Sequence, residues 1–359
     1  MAIRLYKPSL VSLLALSTVL LGHATITRAQ RFTVFDAPDA SGTGVTAINA
    51  RGEVAGTFRD TTQANKPRGF VRDVKGSFTV FDATPQAIDT EPADINARGE
   101  VAGTYIESKG MTTLSHGFVR NPDGDITIFD APNAFVTFAF CINARGDVAG
   151  KFVDAGFREH SFVRDHKGDF VVFDAPNGVG SASGPVINAR GEIAGSFYDV
   201  GGLRGYLRDE KGNFTIFDTP ENTGGPWVSG INAGGDVAGY FGNVMQVGKV
   251  QGFVRNRSGD ITVFEAPDAS RTFVNAINAR GDVAGSFLDA TQAYRFRGFL
   301  RDINGDLTVV DPPNSSFTVA TGINNRGEVA GSFIDSSEGG KNRGFLFWGE
   351  ERGRTSGDL

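Results

Sequence analysis

Cysteine occurs once in the 359 residues, at Cys141, so no disulfide can close within the chain and its stability must come from packing. Methionine (3), tryptophan (2) and histidine (4) are scarce as well, which leaves little material for thiol, imidazole or multi-histidine metal chemistry. Long hydrophobic runs are missing. The run Leu10 to Leu21 is only about a dozen residues, too short to cross a bilayer. No stretch after residue 30 spaces its apolar residues as a helix would. Excess positive charge is missing too: 35 Lys and Arg stand against 41 Asp and Glu, a net charge of −6. A nucleic-acid partner, whose phosphates need a basic footprint, is therefore not expected.

The first 29 residues read as an export leader: Arg4 and Lys7, the short apolar run, then Thr27-Arg28-Ala29 before Gln30. Loss of Arg4, Lys7 and Arg28 with the leader leaves 32 basic residues and a charge of −9. No lipoprotein cysteine lies in this region, so a released protein, extracellular or periplasmic, is expected. The division is 1–29 leader, 30–349 folded domain and 350–359 disordered tail.

What the chain does have is glycine (48), phenylalanine (30) and repetition. Ile-Asn-Ala-Arg-Gly-Glu-Val-Ala-Gly begins at Ile48 and Ile95, with variants from Ile142, Ile187, Ile231, Ile277 and Ile323. Gly-Phe-Val-Arg starts at Gly69 and Gly117 and recurs at Ser161, Gly205, Gly252, Gly298 and Gly344. Phe-Thr-Val-Phe-Asp-Ala-Pro opens at Phe32 and returns from Phe78, Ile126, Phe170, Phe214, Ile261 and Leu307. A period of about 46 residues marks a solenoid or a propeller.

Each repeat offers four strands: a (around Val45–Asn49), b (Glu53–Asp60), c (Arg68–Arg72) and d (Phe78–Asp82). Asn-Ala-Arg-Gly and Asp/Asn-x-x-Gly supply the a–b and c–d turns. The chain opens on a lone strand d and ends on a lone strand c, which together complete one repeat. The expectation is an all-β, seven-bladed propeller, with four antiparallel strands per blade, closed by the N-terminal strand joining C-terminal strands a–c.

The polar residues read first as structure. Asp60/Arg68, Glu107/His116, Asp154/His160, Asp199/Arg204, Asn243/Gln251, Asp289/Arg297 and Asp335/Arg343 vary together, as cross-strand contacts at a hairpin mouth would. The same register sets Arg72 opposite Gly56, with glycine leaving room for the guanidinium. Asn49 and its counterparts are expected to fix the a–b turn through Asx bonds. The calcium-like stretches Asn121–Asp125 and Asp302–Asp306 lack an EF-hand's trailing Glu and are read as c–d turns. Neither a metal nor a cofactor is expected.

Function is looked for where repeats differ, in the b–c loops of unequal length. The candidate binding face gathers Phe135, Trp227 and Phe273 from d–a connections and Phe157, Glu159, His160, Tyr294 and Phe296 from the b–c region. Aromatics there suit an extracellular glycan or a protein partner. No catalytic residues stand out. Cys141 is read as a buried thiol, and Glu159–His160 is the one acid/base pair of interest.

Ile-Asn-x-x-Gly-x-Val-x-Gly followed by Gly-Phe-Val/Leu resembles the extracellular HAF-type repeats of exported bacterial proteins. Arg343-Gly344-Phe345-Leu346-Phe347-Trp348 is the copy nearest to that family's His-Ala-Phe-Leu-Trp signature. The resemblance runs from Phe32 to Trp348 and implies a repeat type without an activity. The reading is a secreted, monomeric binding scaffold. The alternatives are an extracellular polysaccharide lyase or hydrolase, or a structural matrix or surface protein.

Overall fold

A computed structural model of the chain describes residues 31–178, 180–219, 224–242 and 248–349. The proposed leader, the proposed tail and Asn243 lie outside them. The protein is all-β; its only helices among the described residues are the single 3-10 turns Thr61–Gln63 and Ser336–Glu338.

In the first repeat, strand a is Ala40–Ile48, b Val54–Asp60, c Lys66–Arg72 and d Phe78–Phe81, paired antiparallel in that order. Most later repeats build the same four-stranded sheet. In the fourth, strand a is split into Gly180–Ser181 and Val186–Ile187. The fifth and sixth sheets are joined by one parallel bridge, Val250 to Arg271. In the seventh, strand c (Lys341–Trp348) takes Arg31–Phe35 as its outer neighbour, from Arg31 opposite Trp348 to Phe35 opposite Gly344.

Strand a is longer than the sequence words suggest, nine residues in most repeats, with a bulge before its last isoleucine. Phe135, Trp227 and Phe273, expected in loops, are therefore strand-a residues, and Phe296 is on strand c.

The three repeated words interlock. A Cβ at Gly56 would strike the Gly44 carbonyl oxygen and come within 2.7 Å of the Phe70 ring, so this glycine makes room for the phenylalanine of Gly-Phe-Val-Arg. At Gly69 a Cβ would sit 2.7 Å from the Phe81 ring, so that glycine in turn seats the phenylalanine of Phe-Asp-Ala-Pro. Phe81 then packs on Phe118 of the next sheet, ring centroids 6.0 Å apart. Phe70, Phe118, Phe162, Phe253, Phe299 and Phe345 are fully buried. Each contributes roughly 1.5–3 kcal/mol.

This corrects the expectation for Arg72. Strand c pairs with strand b two residues out of the expected register: Asp60 faces Lys66, Gly56 faces Phe70, and Arg72 faces Val54. The Arg72 guanidinium lies 4.8 Å from the centroid of Phe35, on the preceding sheet. Arg120 over Phe81, Arg164 over Phe129, Arg208 over Phe173, Arg255 over Phe217 and Arg301 over Phe264 repeat the contact at 4.7 to 5.2 Å. These arginines join neighbouring sheets by cation–π attraction.

Candidate functional site

The a–b end of the molecule is self-satisfied. Asn49 Oδ1 accepts the backbone N–H groups of Arg51 and Glu53, the expected Asx pattern. Its Nδ2 does something not expected: it donates to Glu53 and to the backbone carbonyl of Asn96, the equivalent residue one repeat on, at 3.0 Å. Asn96 donates to Asn143, Asn143 to Asn188, Asn188 to Asn232, Asn232 to Asn278 and Asn278 to Asn324. Asn324 donates to Asn49 at 3.2 Å. All seven asparagines are buried.

Outside this relay, Arg51–Glu53, Arg98–Glu100, Arg145–Asp147, Arg190–Glu192, Arg280–Asp282 and Arg326–Glu328 pair within each turn. The fifth repeat has Gly234 where the others have arginine. There Arg257, from the c–d turn, donates to the Gly234 carbonyl at 3.2 Å and to Glu192 at 3.1 Å. Two shallow clefts also open at this end, one lined by Arg145, Asp147, Arg208 and Glu210 and the other by Gly52, Arg72, Arg326 and Trp348. They occupy equivalent seams between sheets, as spaces left by the repeat would.

The opposite end carries the b–c hairpins and the d–a turns. The expected acid–base pairs form there, Arg68 Nη1 to Asp60 at 2.9 Å and Arg343 Nη1 to Asp335 at 3.0 Å among them. Each has a second acid that the pairwise reading missed, the Asp of Phe-Asp-Ala-Pro. Arg68 also reaches Asp82, Arg204 reaches Asp218, Arg297 reaches Asp311 and Arg343 reaches Asp36. His116 lies 2.8 Å from Asp130 and His160 3.0 Å from Asp174, while Gln251 donates to Glu265 at 2.6 Å. The signal was in the sequence: base and second acid are 14 residues apart in six repeats.

His160 is thus the centre of a clasp between Asp154 and Asp174, tilted against the Phe152 ring, and Glu159 is tied to Lys151 at 3.0 Å. His116 is held in the same way. His166 is at the other end, 3.5 Å from Asp147. No group of three His, Cys, Asp or Glu side chains among the described residues is arranged to hold a metal. Cys141 is half-buried, not fully enclosed as expected; its Sγ faces the Pro185 carbonyl at 3.6 Å, and desolvation, reinforced by the Asp94 carboxylate, pushes its thiol up. The neutral thiol is a poor nucleophile. A disulfide reagent at mildly alkaline pH should leave Cys141 unmodified in the native protein and label it fully in denaturant; rapid native labelling would contradict this environment.

One carboxyl at the b–c end is only partly compensated. Asp89, on strand a of the second repeat, is half-buried, and its Oδ1 has no hydrogen-bond partner among the described residues. Burial first, then the Glu91 carboxylate, push its pKa up to about 6, against a backbone hydrogen bond from Thr90 and weaker attraction from Arg59 and Lys66. The folded state therefore binds this proton more tightly than the unfolded chain, and stability is lost as pH rises from about 4 through about 6. Asp89→Asn should stabilise the protein above pH 6 by roughly 1 kcal/mol, the partial exposure screening the full shift. The gain should vanish near pH 4. Melting temperatures of the two proteins across that range check it.

The candidate aromatics fall into three groups. Trp227 stacks on Tyr240 at 6.4 Å, Tyr240 meets Phe273 at 5.1 Å, Phe273 stacks on Phe296 at 6.0 Å and Phe296 meets Phe317 at 5.1 Å. This ladder crosses the fifth to seventh repeats. Trp227, Tyr240, Phe273 and Phe296 are half-buried in it. Tyr240 and Phe317 were not foreseen, because neither position is aromatic in the other repeats. Phe135 and Phe157 form a separate pair at 6.1 Å. Tyr294 stands apart from both, 64% exposed.

Exposure separates the two ends of the molecule. Ile88, Met111, Phe135, Phe157, Tyr198, Val200, Tyr294 and Phe317 are large apolar side chains left in water at the b–c end. At the a–b end Val74, Ile303 and Val171, which lines one of the clefts, are comparable among the described residues, and Ile128 and Val172 are exposed along strand d.

No family model matches this chain, and no curated protein is similar to it in sequence. Solved structures are. Virginiamycin B lyase from Staphylococcus aureus, in a catalytically inactive form with quinupristin, matches with TM-score 0.58 and 15% identity over 89% of this chain and 99% of that one. The β-propeller domain of the Trilobed protease from Pyrococcus furiosus matches with TM-score 0.59 and 12% identity over 89% and 100%. The Pyrococcus horikoshii acylaminoacyl peptidase matches with TM-score 0.60 and 12% identity over 89% of this chain and 53% of its own. At such identities the likeness defines the fold: the chain has β-propeller architecture.

Proposed function

We propose that the protein is an exported, seven-bladed, closed β-propeller that binds a glycan or protein partner through its b–c and d–a loop face. The observation that carries the binding reading is the unequal distribution of exposed apolar side chains. One end satisfies its own polar groups through asparagines, Asx turns and paired charges. The other leaves eight large apolar side chains in water, on hairpins of unequal length and on the neighbouring starts of strand a. Clustered exposed apolar residues on a rigid scaffold mark interaction surfaces.

Closure is supported by the asparagine relay returning to Asn49 and by the pairing of Arg31–Phe35 with Lys341–Trp348. Export rests on the leader-like residues 1–29, and the HAF-type resemblance agrees with it. The test is a thermal-shift screen against oligosaccharides and short peptides. A ligand of the folded state at a hundred times its Kd raises stability by about 2.7 kcal/mol. The expected result is a shift abolished by Phe157→Ala or Tyr294→Ala. A shift unaffected by both, or self-association with no ligand, would remove this face as the binding surface.

A further inference from the structure

We propose that the b–c hairpins of the second and third repeats are pH-sensitive clasps: protonation of His116 and His160 locks each hairpin to the turn after strand d, and loss of the protons loosens it. This concerns how the b–c face is held and does not depend on what that face binds.

The clasp joins three elements of one repeat: an acid at the end of strand b, a base on strand c and an acid after strand d. In the first, fourth, sixth and seventh repeats the base is arginine, charged at every working pH, and it reaches both acids. In the fifth, Gln251 donates to Glu265. The second and third repeats, side by side, use histidine, the side chain whose charge changes between about pH 5 and 8.

Each imidazole is placed so that its proton count matters. His116 Nδ1 lies 2.8 Å from Asp130, and its Nε2, shut off from water, faces Glu107 at 3.5 Å. His160 Nδ1 lies 3.0 Å from Asp174 and its Nε2 3.5 Å from Asp154. A neutral imidazole carries one N–H, so in either tautomer one nitrogen turns a lone pair toward a carboxylate. The imidazolium donates both ways and ties the root of the hairpin to both acids. Asp154 passes the tie on, because its Oδ1 accepts the N–H groups of Gly156 and Arg158 in the turn that carries Phe157. The Arg158 bond foremost holds this carboxyl below the usual range, so Asp154 stays charged while the histidine titrates.

The other charges around the clasps are engaged elsewhere. Tyr105 stacks on His116, and Phe152 lies against His160. Lys151 and Glu159 bind each other. Asp82, in the connection before the second repeat, is held by Lys66 and Arg68. Asp89 and Glu91 flank Thr90, the residue level with Tyr105 and His116, so they lie on the other face of the sheet. Strand a of the third repeat, Ala134–Ile142, has no charged residue.

Amide hydrogen exchange of the full chain at about pH 5 and about pH 8, corrected for intrinsic rates, tests this. Protection of residues 107–116 and 154–160 should be at least about threefold higher at the acidic pH. Hairpins 289–297 and 335–343, closed by arginine, should not change. His116→Arg/His160→Arg, which installs the base of the other repeats, should give high protection at both pH values. His116→Gln/His160→Gln should give low protection at both. The wild-type comparison is repeated in Asp89→Asn, because the Asp89 carboxyl titrates in the same range. A pH response equal in all four hairpins, one that the double arginine variant retains, or one that disappears in Asp89→Asn overturns the proposal.

Discussion

Gly150→Val should prevent the protein from reaching its native state, or cost it on the order of 4 kcal/mol or more. Even a Cβ at Gly150 collides with the Phe138 carbonyl oxygen and comes within 2.5 Å of the Phe162 ring. Neither can retreat. The carbonyl is held between strands a and b, and Phe162 is fully buried between its own sheet and the one before. Overpacking of this kind forces backbone shifts as well as rotamer changes. Gly180→Val is the control, because a Cβ there meets nothing within 4 Å. Urea unfolding of both variants decides it. Equal stability would mean the strands are free to part, and the interlocking of the repeated words would be wrong.

Asn143→Asp is expected to be nearly as damaging, although it alters only one side-chain atom group. The Oδ1 acceptor that fixes the turn survives. What is lost is the amide that donates to Asp147 at 3.0 Å and to the Asn188 carbonyl at 3.2 Å. The replacement oxygen would face that carboxylate and that carbonyl in a buried site, so repulsion adds to the missing donors. Breaking a buried, charge-assisted arrangement in this way costs about 3 kcal/mol. A thermal melt of Asn143→Asp beside Asn143→Ala separates the contributions: the alanine loses the turn bonds too but brings no charge. If the aspartate variant melts with wild type, the relay between repeats contributes nothing to stability.

The all-β repeat was legible from the spacing of three words, because the first carries a tight turn and the other two each carry a buried phenylalanine. The acid–base clasps were half legible. Asp60 and Arg68 vary together and so drew notice, whereas Asp82 is nearly invariant among the repeats and varies with nothing. Arg72 was misplaced for a different reason: its partner, Phe35, belongs to another sheet, and a register drawn within one repeat cannot reach it. The ladder from Trp227 to Phe317 was seen only in pieces, since its links Tyr240 and Phe317 stand at positions that are not aromatic in the other repeats. Phe157 and Tyr294 were visible as loop aromatics. Their left-handed backbone, at φ 60° and 56°, was not, because both positions are ones where asparagine or glycine would be expected.

Arg257 preserves a trace of the array's descent. Six copies of the repeat carry an arginine in the a–b turn, and the fifth has Gly234 in its place. A guanidinium from a different turn now lies over that glycine and binds the acid of the preceding copy. The array thus has, side by side, a turn without its arginine and a cation from another part of the repeat that occupies the space. Duplicated units under such a rule diverge in pairs of positions. Grafting a segment from one copy into another would then succeed only when both members of the pair travel together.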